Sequence, residues 1–224
     1  MRGCYREQRM PKERSWLHIQ MRAGGRGDGV VLDTDRLVLR RLTFEDLDAM
    51  SSFYADPAVR RFFPDGTLTR DETLEELEWI LDVYYERYGY GLWATVDKRS
   101  GDVIGRCGLL PFKVVRATTQ AGLALDGPDE HPRPDDRYEV EVAYLLARDR
   151  WGRGFATEAA AAVVAYGFEH LEVDRLISLI DPDNHASASV ARRCGMTIDG
   201  EVELDGDVIP LHAITRTAWV SAVR

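Results

Sequence analysis

The sequence is short of cysteine, of long apolar runs and of positive charge, and each shortage removes a class of function. Its three cysteines, Cys4, Cys107 and Cys194, are widely separated, with no CxxC pair and no cluster of histidines. Neither a disulfide framework nor a zinc site is indicated, and no metal is expected. Cys107 and Cys194 lie in apolar surroundings and read as packed thiols, which makes a reducing cytoplasm the expected compartment. No apolar run approaches the roughly 20 residues of a membrane helix, and the N-terminus lacks the apolar core of a secretion signal. A net charge of −9 and a pI near 5.1 argue against nucleic acid as the main partner.

What remains is a 224-residue chain with 45% hydrophobic and 30% charged residues, enough for one domain with a sizeable core. Residues 1–29 are polar and end in Gly24-Gly25-Arg26-Gly27-Asp28-Gly29. They are expected to form a flexible arm, leaving a single domain over residues 30–224. Arg36–Leu42 alternates like a strand. Thr43 and Asp46 have the spacing of a capping box and open a helix that Asp56-Pro57 breaks. Thr69 or Asp71 opens a longer helix, with Leu74, Leu77, Ile80, Leu81, Tyr84 and Tyr88 at helical spacing and Gly89 as its stop.

Strands are predicted over Tyr90–Val96, Val103–Leu110 and Tyr138–Ala147, with a long connection from Lys113 to Arg137. A helix from about Ala156 to Leu171, a strand over Leu176–Ile180 and a short helix over Ser187–Arg193 follow. Met196–Leu204 and Val208–Thr217 form a terminal hairpin around Asp205-Gly206. The expected class is therefore α+β (mixed α/β). Its sheet has about seven strands, mostly antiparallel and twisted, with helices on both faces and one βαβ crossover.

That crossover carries the most informative stretch, Trp151-Gly152-Arg153-Gly154-Phe155-Ala156-Thr157-Glu158. Two glycines permit a tight turn whose N–H groups face outward. The helix that follows points its free N–H groups and positive dipole end into the same turn. The result is an anion cradle of the kind that holds a pyrophosphate. Arg148, Arg150 and Arg153 add positive charge beside it. Gly152 and Gly154 also mimic a dinucleotide fingerprint, but Thr157 stands at its third glycine position and only one βαβ unit is present.

Set in order, these segments resemble the GNAT superfamily of N-acetyltransferases, and within it the branch of ribosomal-protein alanine N-acetyltransferases. Thr34-Asp35-Arg36-Leu37-Val38-Leu39-Arg40 is similar to the branch's first strand and Ile104-Gly105-Arg106-Cys107-Gly108-Leu109 to its third. Glu141-Val142-Ala143-Tyr144-Leu145 is similar to the fourth, where members often carry a catalytic glutamate. Trp151 to Ala159 is similar to the acetyl-CoA pyrophosphate loop. Asp181-Pro182-Asp183-Asn184-His185-Ala186-Ser187, with Cys194-Gly195-Met196, is similar to the segment lining the pantetheine arm.

The resemblance implies the GNAT fold and direct transfer of acetyl from acetyl-CoA to a primary amine in a ternary complex. The amine would belong to a protein N-terminus or a small molecule, and the enzyme would be a monomer or homodimer. It implies that Glu141 is the base, with Glu139, on the same strand face, as the fallback; on residue chemistry alone both are equally solvated carboxylates at a strand end. It implies that a backbone N–H near Tyr144 or Leu145 polarises the thioester carbonyl. Trp151, Gly152, Arg153, Gly154, Phe155, Ala156 and Thr157 would hold the pyrophosphate. Asn184 and Ser187 would bond the pantetheine arm, although a turn residue and a helix cap explain them equally well. One departure stands out: many relatives place the tyrosine that protonates the leaving thiolate where this chain has Ala191. A non-catalytic acyl-CoA sensor is the alternative.

Overall fold

Thr43 and Asp46 start the first helix as their spacing requires. Thr43 N–H donates to Asp46 Oδ2 at 2.9 Å, a short 3₁₀ turn over Phe44–Asp46 follows, and helix α1 runs Leu47–Tyr54. Thr69 and Glu72 make the same reciprocal cap for helix α2, Arg70–Trp79. This computed structural model describes residues 29–117, 123–126, 136–204 and 206–222. The expected arm, apart from Gly29, and residues 118–122 and 127–135 of the expected connection lie outside the described residues.

Helix α2 does not end at Trp79. It widens into a π-helical stretch over Ile80–Tyr88, which Gly89 closes at φ 75°. The wider spiral turns Ile80, Val83, Tyr85 and Tyr88 into the core and leaves Tyr84 half-buried. Tyr85 Oη accepts from Leu42 N–H at 2.9 Å and donates to Leu92 O, so this segment is pinned to the sheet on both sides.

The strands are β1 Val30–Asp33, β2 Leu37–Arg41, β3 Leu92–Asp97, β4 Val103–Ala117, β5 Leu123–Asp126, β6 Tyr138–Leu146, β7 Arg175–Leu179, β8 Thr197–Leu204 and β9 Asp207–Thr215. They form one sheet in the order β1-β2-β3-β4-β5-β8-β9-β7-β6, and β4 also pairs with β6. Among the described residues only β5–β8 and β6–β7 are parallel. The mostly antiparallel sheet and the single crossover, β6 to β7 through helix α3 (Phe155–His170), agree with the sequence reading.

Among the described residues the sheet has nine strands, β1 and β5 joining the seven read from sequence. The connection expected from Lys113 is partly strand as well: β4 runs on to Ala117, held first by β6 down to Lys113–Tyr138 and then by β5. Neighbouring strands, not local pattern, set that length. The last strand ends at Thr215, and helix α5, Arg216–Ala222, takes the place of its predicted final residues.

Helices cover both faces. Helix α3 packs over Leu109 and Leu176 through Gly167, and its Tyr166 meets Trp93 edge-on at 5.0 Å. Helix α1 lies on the opposite face, where Tyr54 Oη accepts from Arg106 Nε. Among the described residues, no helix is long and apolar enough to cross a membrane.

Candidate active site

Strands β6 and β7 meet at a single pair, Glu141 with Ile177. Beyond that point they separate, and among the described residues no strand pairs with that edge of β6. Ser178 Oγ donates to Val142 O at 2.8 Å and closes the narrow end of the gap. Tyr144 and Leu145 therefore lie on an open backbone edge, which leads toward the glycine turn.

Glu141 stands at the narrow end. It is 9% exposed, and its Oε1 accepts from Leu179 N–H at 2.9 Å. Burial pushes its pKa up to about 7, outweighing the Leu179 hydrogen bond and the positive charge of Arg106, both of which lower it. A carboxyl with that pKa exchanges its proton at neutral pH. Glu139, two residues earlier, is differently placed. Arg175 grips it with both arms, Nε to Oε2 at 3.1 Å and Nη2 to Oε1 at 2.7 Å, and also reaches Asp199 at 2.9 Å.

The glycine turn has the backbone its sequence called for. Gly152 and Gly154 have φ of 71° and 78°, a region costly for any residue with a Cβ. Gly154 is the cap of α3, and Phe155, Ala156 and Thr157 form its first turn. Trp151 is 48% exposed, and its Nε1 donates to Leu146 O at 2.8 Å, anchoring the turn to the end of β6. Arg153 is exposed. Arg150, counted from sequence as part of the positive rim, is committed elsewhere, to Asp97, Asp102 and Asp149 at 3.3, 2.9 and 3.1 Å. An open cleft of about 570 Å³ is lined by Ser52, Phe53 and Asp56 and by Ala147, Arg148 and Asp149, the residues that follow β6.

Glu158 does more than suit a helix start. Its carboxylate accepts from Thr34 Oγ1 at 2.6 Å, Arg36 N–H at 2.8 Å and Arg36 Nε at 2.6 Å. Arg36 also donates to Arg153 O at 2.8 Å and lies 4.7 Å over the Phe155 ring. The β1–β2 turn thus holds the glycine turn from outside, a link no local pattern reveals. Partial burial raises the pKa of Glu158, but its bonds to Thr34 and Arg36 prevail and hold it below the ordinary carboxylate value. The stability it contributes is therefore present above the unfolded pKa, near 4.3, and is lost as pH falls through the depressed folded value. Glu158→Gln is expected to lower Tm by roughly 4–8 °C at pH 7, equivalent to about 2 kcal/mol. It should also flatten the acid limb of the stability curve, which thermal melts between pH 3 and 7 will measure.

On the α3 face, Asn184 is the cap of helix α4, His185–Arg193, and its Oδ1 accepts from Ser187 N–H at 3.1 Å. The helix thus begins two residues before the predicted Ser187, and Asn184 is its cap. Tyr144 Oη donates to Ser187 O at 2.8 Å, joining β6 to α4 beside the gap. Burial raises the Tyr144 pKa, so the phenol keeps its proton. Ala191 is 1% exposed and brings no proton donor. Cys107 and Cys194 are free thiols, and burial raises both pKa values. Among the described residues, no group of three His, Cys, Asp or Glu side chains is placed to hold a metal.

Comparison with known proteins places this geometry. A model of the acetyltransferase (GNAT) domain matches residues 36–197. The uncharacterized protein YkkB of Bacillus subtilis (strain 168) is 34% identical over 168 residues, 74% of this chain and 84% of its own. The crystal structure of the acetyltransferase from Agrobacterium tumefaciens str. C58 is 27% identical with a TM-score of 0.62, covering 83% of this chain and 94% of that one. The ribosomal L7/L12 alpha-N-protein acetyltransferase RimL, solved in complex with coenzyme A, shares the fold at 18% identity and a TM-score of 0.60, over 84% of this chain and 99% of its own. The matched domain runs from the strand that braces the glycine turn to the strand beyond α4, and it holds the gap, the turn and Glu141 together: the chain belongs to the GNAT acetyltransferases.

Proposed function

We propose that this enzyme moves the acetyl group of acetyl-CoA to a primary amine in one direct step, with Glu141 as the base. The carrying observation is the placement of Glu141, a buried carboxylate at the closed end of a backbone gap that opens toward a glycine cradle. The cradle fits the donor: Gly152 and Gly154 leave room for a pyrophosphate, and the start of α3 supplies free N–H groups. The open edge at Tyr144 and Leu145 suits the pantetheine arm and thioester carbonyl, and the Tyr144–Ser187 hydrogen bond brings the start of α4 beside it, which favours Asn184 and Ser187 as partners of the arm. RimL was solved with coenzyme A, and the p20 protein of Bacillus licheniformis bears the name N-acetyltransferase; both support this reading.

Glu141 removes a proton from the arriving ammonium group, directly or through one water, and so frees the lone pair. The amine nitrogen then bonds the carbonyl carbon as the C–S bond breaks, and the nitrogen sheds its remaining extra proton to water. With Ala191 in place of a tyrosine, the departing thiolate takes its proton from water, so the two transfers cancel. Two unpaired thiols suit a cytoplasmic setting. Calorimetric titration with acetyl-CoA, beside thiol release across an amine panel, tests the proposal. Binding with release is the expected result. Binding without release from any amine would establish the sensor that Ala191 favours.

A further inference from the structure

One buried cation near Glu141 has no place in the reaction so far. Arg106 is 5% exposed. The β4–β6 register pairs Arg106 with Leu145, Gly108 with Ala143 and Leu110 with Glu141. Paired residues point the same way and the pattern repeats every second residue, so Arg106 and Glu141 share a face, with only Gly108 and Ala143 in the row between. The charge of Arg106 reaches Glu141 and lowers its pKa. Ala143, Leu110, Tyr84 and Glu76 around this space are only half-buried, so this face is not sealed from solvent.

The guanidinium is oriented but underused. Its Nε donates to Tyr54 Oη, and Tyr54 Oη donates in turn to Glu76 Oε1 at 2.7 Å. Glu76 stands 3.7 Å from Nη2, near enough to balance charge but outside hydrogen-bond range. The rings of Tyr54 and Phe63 lie 5.5 and 5.9 Å from the guanidinium carbon. Arg60, another buried arginine, is satisfied by contrast, with Nη2 on Asp65 at 2.5 Å and Nε on Gly66 O at 2.7 Å. Arginine carries five N–H donors. Arg106 spends one of them in a hydrogen bond among the described residues and holds the rest in a fork that fits a carboxylate.

We propose that Arg106 is a carboxylate subsite for the acceptor, so that the amine acetylated here belongs to a small amino carboxylate such as a free amino acid. The proposal rests on the acetyl-transfer reading above. The acceptor's carboxylate docks on the Nη edge of Arg106 while its amino group faces Glu141. The ammonium nitrogen gives one proton to Glu141 and forms the C–N bond to the acetyl carbon as the C–S bond breaks; its second proton goes to water and the CoA thiolate takes one from water. Tyr54 and Glu76 hold the fork in place.

The test is thiol release from acetyl-CoA with the free amino acids, each beside its carboxamide and its decarboxylated amine, and with spermidine. The expected result is a kcat/KM about 10–100-fold higher for the preferred free acid than for its carboxamide, the range of a charge-assisted hydrogen-bonded pair. In Arg106→Gln this preference should collapse through a rise in KM, while the acetyl-CoA Kd from calorimetry stays put. Arg106→Lys, which keeps the charge and loses the fork, should fall between. Should Arg106→Gln fail to fold, the wild-type panel and Tyr54→Phe still decide, since the latter loosens the fork and should weaken the preference. Carboxamides or amines that match the free acids overturn the subsite and leave acetyl transfer standing, as does an Arg106→Gln enzyme that keeps the preference. Release from no amine at all overturns acetyl transfer and the subsite with it.

Discussion

Glu141→Gln is expected to cut kcat by about 10²–10⁴-fold, the range of general-base help, while the acetyl-CoA Kd barely moves. The side chain keeps its shape and its bond to Leu179 N–H, so only the proton acceptor is lost. In the wild-type enzyme the base works in its ionised form. With a pKa of about 7, kcat should therefore rise as pH increases through that value and level off above it. The variant should lose that step and regain part of its rate only at high pH, where free amine is abundant. Stability supplies an independent reading. The pKa of Glu141 is raised from 4.5 to about 7, so the folded protein holds this proton more tightly than the unfolded chain does. Stability thus falls as pH climbs from the lower value to the higher, by about 3 kcal/mol in all. Glu141→Gln escapes that loss and should melt above wild type at pH 8. Stopped-flow rates and thermal melts across the same pH series check both halves. Wild-type kcat at every pH would pass the role to Glu139 or to no residue.

Replacing Gly154 should cripple donor binding. A Cβ at this position meets only Arg36 Nη2, at 3.4 Å, so crowding is not the chief obstacle. The backbone is: at φ 78° a β-branched side chain costs on the order of 1–3 kcal/mol. Gly154→Val relieves that strain by flipping the turn, which turns the N–H groups away from the phosphates. The acetyl-CoA Kd should rise by at least about tenfold, since 1.4 kcal/mol already corresponds to that factor. Gly154→Asn, a residue that tolerates the left-handed region, should lose much less. Calorimetry on both variants, with circular dichroism to confirm folding, decides. A folded Gly154→Val protein with wild-type affinity would remove the turn from the donor site.

The parts legible in the sequence are those whose physics is local. Thr43 with Asp46 announces its helix by spacing, and spacing narrows the second start to Thr69 or Asp71, which the cap on Glu72 decides for Thr69. Gly152 and Gly154 announce a left-handed turn, because few other residues sit there without strain. Glu141 is visible as a candidate, but its burial is not, since Leu179 and the helices over it come from elsewhere in the chain. The same limit hid β5 and the far half of β4, strands made by their neighbours. It misplaced Arg150, whose charge goes to Asp97 and Asp102 rather than to the cradle. It concealed Arg106, which sits in a strand motif and shows its chemistry only when Tyr54 and Glu76 fold over it.

The grip of Arg36 and Thr34 on Glu158 has a consequence in time. The contacts span 122 and 124 residues, so at ordinary synthesis rates of about 5–20 residues per second the first strands are made roughly 6–25 s before the carboxylate that binds them. During that interval the β1–β2 turn must wait with its donors turned to water. The glycine turn is braced only after Glu158 has been made and has cleared the ribosome. The turn and its brace are therefore completed together, late in synthesis, and no shorter nascent chain holds both.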